Sequence, residues 1–266
     1  MTTIGSTQVI TGITLQIGTP SPSHKTSGEV DVALSFSPLC GGQYTTSGRI
    51  QTKEGESGYT LSGISYSDPQ SIESYVKRTI INSDLFDLSQ LCVREGQSAW
   101  KVNINCMVVN HDGNIVDACI LGIMMALKNL RLPLVTTVSE NNVDVVKLLT
   151  PVEEKNTSDV DAGEKKGTLL QFQKIAIPLT VALFQGKLLV DPTLEEENVS
   201  DGMISVVVDL MSITEEEETK ALNGTILSLS KSGGGGMISG EEMAACVQLA
   251  FGRAKELRSI MESRNH

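Results

Sequence analysis

The residues best able to do chemistry form an acidic run in the second half of the chain. Glu195, Glu196 and Glu197 are consecutive, Asp191 precedes them, and Asp201 follows four residues after Glu197. Carboxylates so closely spaced are candidate ligands for Mg²⁺, and a carboxylate also transfers protons. One hypothesis is therefore a metal-dependent small-molecule enzyme that uses Glu195, Glu197 and Asp201.

Other catalytic patterns have little support in the sequence. The three histidines, His24, His111 and His266, are isolated from one another, which disfavours a histidine metal site or a Ser–His–Asp triad. Lys231 precedes the glycine run 233–236, whereas a P-loop needs its lysine after the glycines. The five cysteines are odd in number and include no Cys-x-x-Cys, so we expect buried, reduced thiols.

Composition limits the partners that the chain can bind alone. The net charge of -11 and the aromatic content of 4% disfavour a self-sufficient RNA reader, because RNA binding relies on basic residues and aromatic stacking. The N-terminus has no charged segment followed by an apolar run, and the apolar stretch 118–127 is about half of a membrane span. We therefore expect a soluble intracellular protein that binds no membrane.

Periodicity predicts the elements that position these residues. Alternation over 7–17 and 30–36 indicates two strands, paired like a hairpin across the loop 18–28. A helix is predicted over 69–82 with Asp68 as its N-cap, a strand over 100–109, and a helix over 118–130 that is apolar nearly all round and therefore central.

The pattern of strands followed by a helix then recurs. Alternation starts at 174, turns at Gln185-Gly186 and continues in strands over 203–210 and 225–229. Ser239 and Glu242 fit the capping box of a last helix. The predicted fold class is α+β with two similar halves. They are divided as domain 1–150, polar linker 151–172 and domain 173–266. The acidic run 215–218 is predicted to be a solvent-exposed loop.

Three segments resemble one family, the RNase PH-like proteins. They are residues 100–104 with 112–118, residues 177–179 with 188–197, and the ending 233–258. The second segment is most similar to the non-catalytic branch found in the ring of the eukaryotic RNA exosome. The family usually opens with an Arg-x-Asp-Gly-Arg segment and a further strand, and the chain begins after that point, so we expect an unpaired edge strand.

The resemblance implies where catalytic members carry their machinery. Their phosphate-binding Gly-Thr-Arg corresponds here to Asn114, Ile115 and Val116, which supply no cation. Of their two aspartates, the first corresponds to Glu197, which could still act as an acid, and the second to Met203, which could not. In the arginine-rich helix, Arg78 remains and Ile81 replaces the second arginine.

The resemblance therefore implies a non-catalytic structural subunit that needs no cofactor and no metal. The implied partners are other RNase PH-like chains in a hexameric ring, cap proteins with RNA-binding domains, an attached hydrolytic nuclease, and RNA threading the channel. Lys77 and Arg78 are the candidates for RNA contact. The implied role is rRNA maturation and RNA turnover in the nucleus, nucleolus and cytoplasm. An active phosphate-dependent 3'-to-5' exoribonuclease working with a partner chain is the alternative.

Overall fold

The computed structural model describes residues 1–40, 69–140, 143–148, 167–215, 222–232 and 238–263. Asp68, the predicted linker up to residue 166, residues 216–218 and the glycine run therefore lie outside the described residues. The helices are α1 (Pro69–Asn82), α2 (Ile115–Lys128), α3 (Leu194–Val199) and α4 (Gly240–Ser263). The strands are β1 (Thr2–Ile4), β2 (Thr7–Gly18), β3 (Glu29–Phe36), β4 (Cys92–Arg94), β5 (Ser98–Asn110), β6 (Arg131–Leu132), β7 (Val135–Glu140), β8 (Val143–Leu148), β9 (Thr168–Leu169), β10 (Ala176–Phe184), β11 (Lys187–Val190), β12 (Gly202–Asp209), β13 (Thr214–Glu215), β14 (Leu222–Asn223) and β15 (Ile226–Ser232).

The first half is a mixed sheet covered on one face by α1 and α2. Its strand order is β1-β2-β5-β3, with β4 also paired to β5. The alternating residues Trp100, Val102, Ile104, Cys106 and Val108 of β5 are buried, because they face the two helices. The predicted hairpin of β2 and β3 is wrong: β5 lies between them, antiparallel to β2 and parallel to β3.

The second half is an antiparallel sheet with the strand order β11-β10-β12-β15. Both β10 and β12 are buried along nearly their whole length. The alternating residues Ile177, Leu179, Val181 and Leu183 of β10 pack with the α4 residues Cys246, Ala250 and Ala254. The opposite face of β10 lies against α2, so this sheet has a helix on each side.

Helix α2 connects the two halves. It begins at Ile115, three residues before the predicted start, and ten of its fourteen residues are buried because it packs against β2 in the first sheet and β10 in the second. Ala176 and Val207 of the second sheet belong to the hydrophobic cluster of the first half. The α+β prediction with two halves is confirmed, and the halves share one central helix.

The last helix begins as its sequence predicts. The Ser239 hydroxyl accepts from the Glu242 amide at 3.1 Å, and the Glu242 carboxylate accepts from the Ser239 amide at 2.8 Å. These two bonds form the capping box. Within the described residues, no helix is both long enough and apolar enough to span a bilayer.

Candidate functional site

The turn before α2 is held by residues of both halves. Asn114, immediately before the helix, has a left-handed backbone conformation (φ 49°) and makes no side-chain cap bond. Its amide donates instead to a carboxylate oxygen of Glu197 at 2.7 Å, and its side-chain Nδ2 donates to Asp191 at 2.6 Å. Two of the acidic residues singled out in the sequence therefore bind the first turn of the central helix.

Gly113 allows the close approach that these bonds require. Its φ of +88° lies in the left-handed region, which glycine adopts without strain, and a Cβ at this position would overlap the carbonyl oxygen of Pro192. The Thr7 hydroxyl donates to the Gly113 carbonyl at 2.6 Å. The ring Nδ1 of His111 accepts from the Gly113 amide at 3.1 Å.

His111 is buried, and burial lowers its pKa to about 4 against the opposing effect of the Asp112 charge. The imidazole is therefore neutral near pH 7, which suits its role as an acceptor in the turn. The side chain thus has a structural part in shaping the turn, which the sequence alone did not assign.

Asp117 is the ionisable residue that sequence reasoning missed. Only 3% of its surface is exposed, and its two carboxylate oxygens accept from the Thr180 hydroxyl at 2.7 Å and the Thr180 amide at 2.9 Å. Burial raises its pKa to about 6, although the Thr180 bonds act in the opposite direction. The predicted helix began at residue 118 and left Asp117 outside; within the observed helix, a lone acid among apolar side chains requires a buried partner.

Glu197 projects from α3, whose start is defined by a capping box between Thr193 and Glu196. Its side chain is half-buried, and burial raises its pKa to about 7; the Asn114 amide opposes this effect and the nearby Asp117 charge adds to it. A carboxyl group with such a pKa is able to accept or donate a proton near neutrality.

The other candidate residues are arranged differently. Ile115, Val116 and Met203 are buried apolar side chains that offer neither a cation nor a titratable proton. Lys77 is paired with Asp31 at 2.6 Å on the first sheet, and the Arg78 guanidinium lies 5.9 Å from the centre of the Tyr75 ring. These two basic residues lie on α1, which packs against β3.

The acidic run does not form a metal site. Glu197 accepts from Asn114, Glu196 from Thr193, and Asp201 from the amide of Gln185 at 2.8 Å. Because these carboxylates are directed to separate partners, the hypothesis built on Glu195, Glu197 and Asp201 is not supported; among the residues that the structure describes, no cluster of three or more His, Cys, Asp or Glu side chains could hold an ion.

A cleft of about 600 Å³ opens beside this turn. Asn114 and Asp117 line it together with residues of α4, β10 and β11. The site therefore consists of three carboxylates at the junction of the two halves, of which Asp117 is buried, Glu197 half-buried and Asp191 exposed, and an open cleft next to them.

Two family models match this chain. Residues 1–133 match the model of domain 1 of the 3' exoribonuclease family, RNase PH, and residues 174–253 match the model of its domain 2. The chain belongs to this family.

Its relatives include subunits of archaeal exosomes. The chain is 30% identical over 260 residues to the exosome complex component Rrp42 of Pyrococcus furiosus, covering 97% of this chain and 76% of that one. It is 28% identical over 259 residues to the Rrp42 component of Methanocella arvoryzae, covering 97% and 79%.

Solved structures share the fold. A chain of the Archaeoglobus fulgidus exosome with RNA bound to the active site has a TM-score of 0.65 and 22% identity, covering 97% of this chain and 81% of that chain. Rrp46 of rice has a TM-score of 0.55 and 13% identity, covering 98% and 84%.

Proposed function

We propose that this protein is a structural subunit of an exosome core ring that supports 3'-to-5' RNA processing by assembly and not by its own catalysis. The observation that carries the proposal is the bond from the Asn114 amide to Glu197. The N-terminus of a helix is where an anion such as phosphate binds. Here a carboxylate of the same chain already occupies that position.

The surroundings of this bond support the same conclusion. Phosphate held beside Glu197 would face the charges of Asp117 and Asp191, and Ile115 and Val116 provide no guanidinium to offset them. Met203 cannot relay a proton. A chain of this kind contributes its surface to an assembly, while basic partner chains attract the RNA.

We extend the proposal to the assembly that the resemblance implies. The partners would be other RNase PH-like chains in a hexameric ring, RNA-binding cap proteins, a hydrolytic nuclease, and RNA in the channel. Residues 112–119 and 127–129 favour a counterpart of ribosomal RNA-processing protein 43 within the eukaryotic branch. Roles in rRNA maturation and RNA turnover, and residence in the nucleus, nucleolus and cytoplasm, belong to this proposal.

A second candidate function rests on the pKa of Glu197. A carboxyl group that titrates at about 7 is suited to general acid–base catalysis, so a phosphorolytic 3'-to-5' exoribonuclease with a basic partner chain is the competing function. This function requires phosphate to displace Glu197 or to bind beside it.

The test compares the assembly that contains the wild-type chain with one that contains Glu197→Ala. The tagged chain is purified at moderate salt, its stoichiometric companions are identified, and nucleoside diphosphate release is measured with and without phosphate. We expect RNase PH-like companions and equal activity in the two assemblies. Phosphate-dependent release that Glu197→Ala abolishes would establish the competing function; recovery of a lone chain would refute the proposal.

A further inference from the structure

The outer edge of β11 is open to another strand. Within the described part of the chain, β11 pairs only with β10 and forms one margin of the second sheet. Lys187, Leu189 and Val190 are exposed. A sheet edge with free amides and carbonyls is able to accept an extended segment of another chain by strand addition.

The cleft beside this edge has apolar walls. Val190 at the end of β11 and Leu249 on α4 both line it and are both well exposed, and Leu121 and Leu179 lie deeper. Large apolar side chains exposed together indicate a surface that is covered in an assembly. Because Val190 is the last residue of β11 and lines the cleft, a strand added to β11 meets the cleft at that end.

The charged residues that line the cleft favour a basic occupant. Its lining contains three acidic residues, Asp117, Asp191 and Glu256, and one basic residue, Arg253, which lies 3.8 Å from Glu256. Asn114 is only 5% exposed, and its side-chain oxygen accepts no hydrogen bond within the described part of the chain. Both features suit a hydrogen-bond donor with positive charge, and the acidic lining disfavours the phosphates of RNA.

We propose that the edge of β11 and the adjoining cleft bind an extended, basic segment of a neighbouring RNase PH-like chain. The segment adds a strand to the second sheet, places apolar side chains between Val190 and Leu249, and directs a lysine or arginine toward Asp191 and Glu256. This inference rests on the proposed function, because it assumes a ring neighbour.

The first test compares two charge insertions at equally exposed leucines. Leu249 is 42% exposed and lines the cleft, whereas Leu229, on the opposite edge strand β15, is 45% exposed and does not. Tagged full-length Leu249→Glu and Leu229→Glu are purified as above, and RNase PH-like companions are counted per tagged chain. Because a buried, unpaired charge weakens an interface strongly, we expect Leu249→Glu to lose companions by about tenfold relative to Leu229→Glu. Equal recovery would overturn the inference while leaving the proposed function intact.

The second test addresses the charge of the segment and changes a charged residue instead of an apolar one. Glu256 is exposed on α4, so Glu256→Lys should fold like the wild type, which thermal unfolding of both proteins checks. We expect fewer RNase PH-like companions, with the loss smaller at high salt because screening weakens the new repulsion. Unchanged or increased recovery would refute a basic segment. A wild-type chain that captures no RNase PH-like protein would refute this inference and the proposed function together.

Discussion

Asp117 is a carboxyl group inside a helix that otherwise contributes apolar side chains to both cores. Its raised pKa means that the folded protein binds a proton here more tightly than the unfolded chain does. Between about pH 4 and about pH 6 the folded state therefore holds more protons. The free energy of unfolding contributed by this group is fully present at low pH and is lost as the pH rises through about 6.

Asp117→Asn should remove this pH dependence, because the amide resembles the protonated acid and keeps a donor and an acceptor for Thr180. We expect the free energy of unfolding of the variant, relative to wild type, to improve by about 1–3 kcal/mol between pH 4 and pH 7. Urea unfolding at a series of pH values measures this difference. Glu95→Gln, in an exposed turn, is the control and should follow the wild type. If the free energies of unfolding of Asp117→Asn and wild type changed with pH in parallel, the raised pKa of Asp117 would be contradicted.

The turn between β5 and α2 shows how a short segment determines the contact between larger elements. A Cβ at Gly113 would overlap the backbone of Pro192 and Thr193, and Asn114 binds Asp191 and Glu197. The backbone of one half thus lies directly against the segment that leads into α3 of the other. A side chain at position 113 would separate them.

Gly113→Ala should destabilise the protein more than Gly186→Ala. Both glycines have a positive φ, +88° and +73°, but a Cβ at Gly186 would meet nothing within 4 Å. Gly186→Ala therefore carries only the backbone cost, about 1–2 kcal/mol. Gly113→Ala adds the overlap with Pro192, and we expect a loss of about 3 kcal/mol or more. Thermal unfolding compares the two variants. An equal loss of stability would show that the turn adjusts to the added methyl group without separating the two halves.

Some of these elements follow from local sequence, and others depend on contacts between distant residues. Helix α1 matches its prediction because Pro69 suits a first helical turn and the apolar spacing is regular. The pairing of β2 with β3 was mispredicted because alternation identifies a strand's buried face and not its neighbour. The bonds of Asn114 to Asp191 and Glu197 join residues more than 75 positions apart, so no local pattern could reveal them. The assignments of Asn114, Ile115, Val116 and Met203 to family positions stay predictions.

At the scale of the whole molecule, α2 makes the two halves depend on each other. Its side chains fill the core of the first half, and it also covers β10 in the second. Two halves that share a central element should unfold in one cooperative transition.

Two probes can test this cooperativity. Trp100, the only tryptophan, is buried in the first half, and Cys246 is buried in the second on α4. We expect tryptophan fluorescence and thiol labelling of the Cys246 peptide to give the same urea midpoint. Ile123→Ala in α2, which leaves a cavity, should move both midpoints by the same amount, corresponding to about 2–5 kcal/mol. Movement of the Trp100 transition alone would show that the halves unfold independently.

The shared helix also restricts how this protein can change over evolutionary time. A recombination event that replaced the second half by that of a relative would leave one face of α2 against a foreign sheet. The hybrid would be viable only if the new half brought a residue like Thr180 to meet Asp117 and a backbone path that accommodates Gly113. The two halves, similar as they are in plan, must therefore be inherited together, and substitutions on either side of the junction must be compensated on the other.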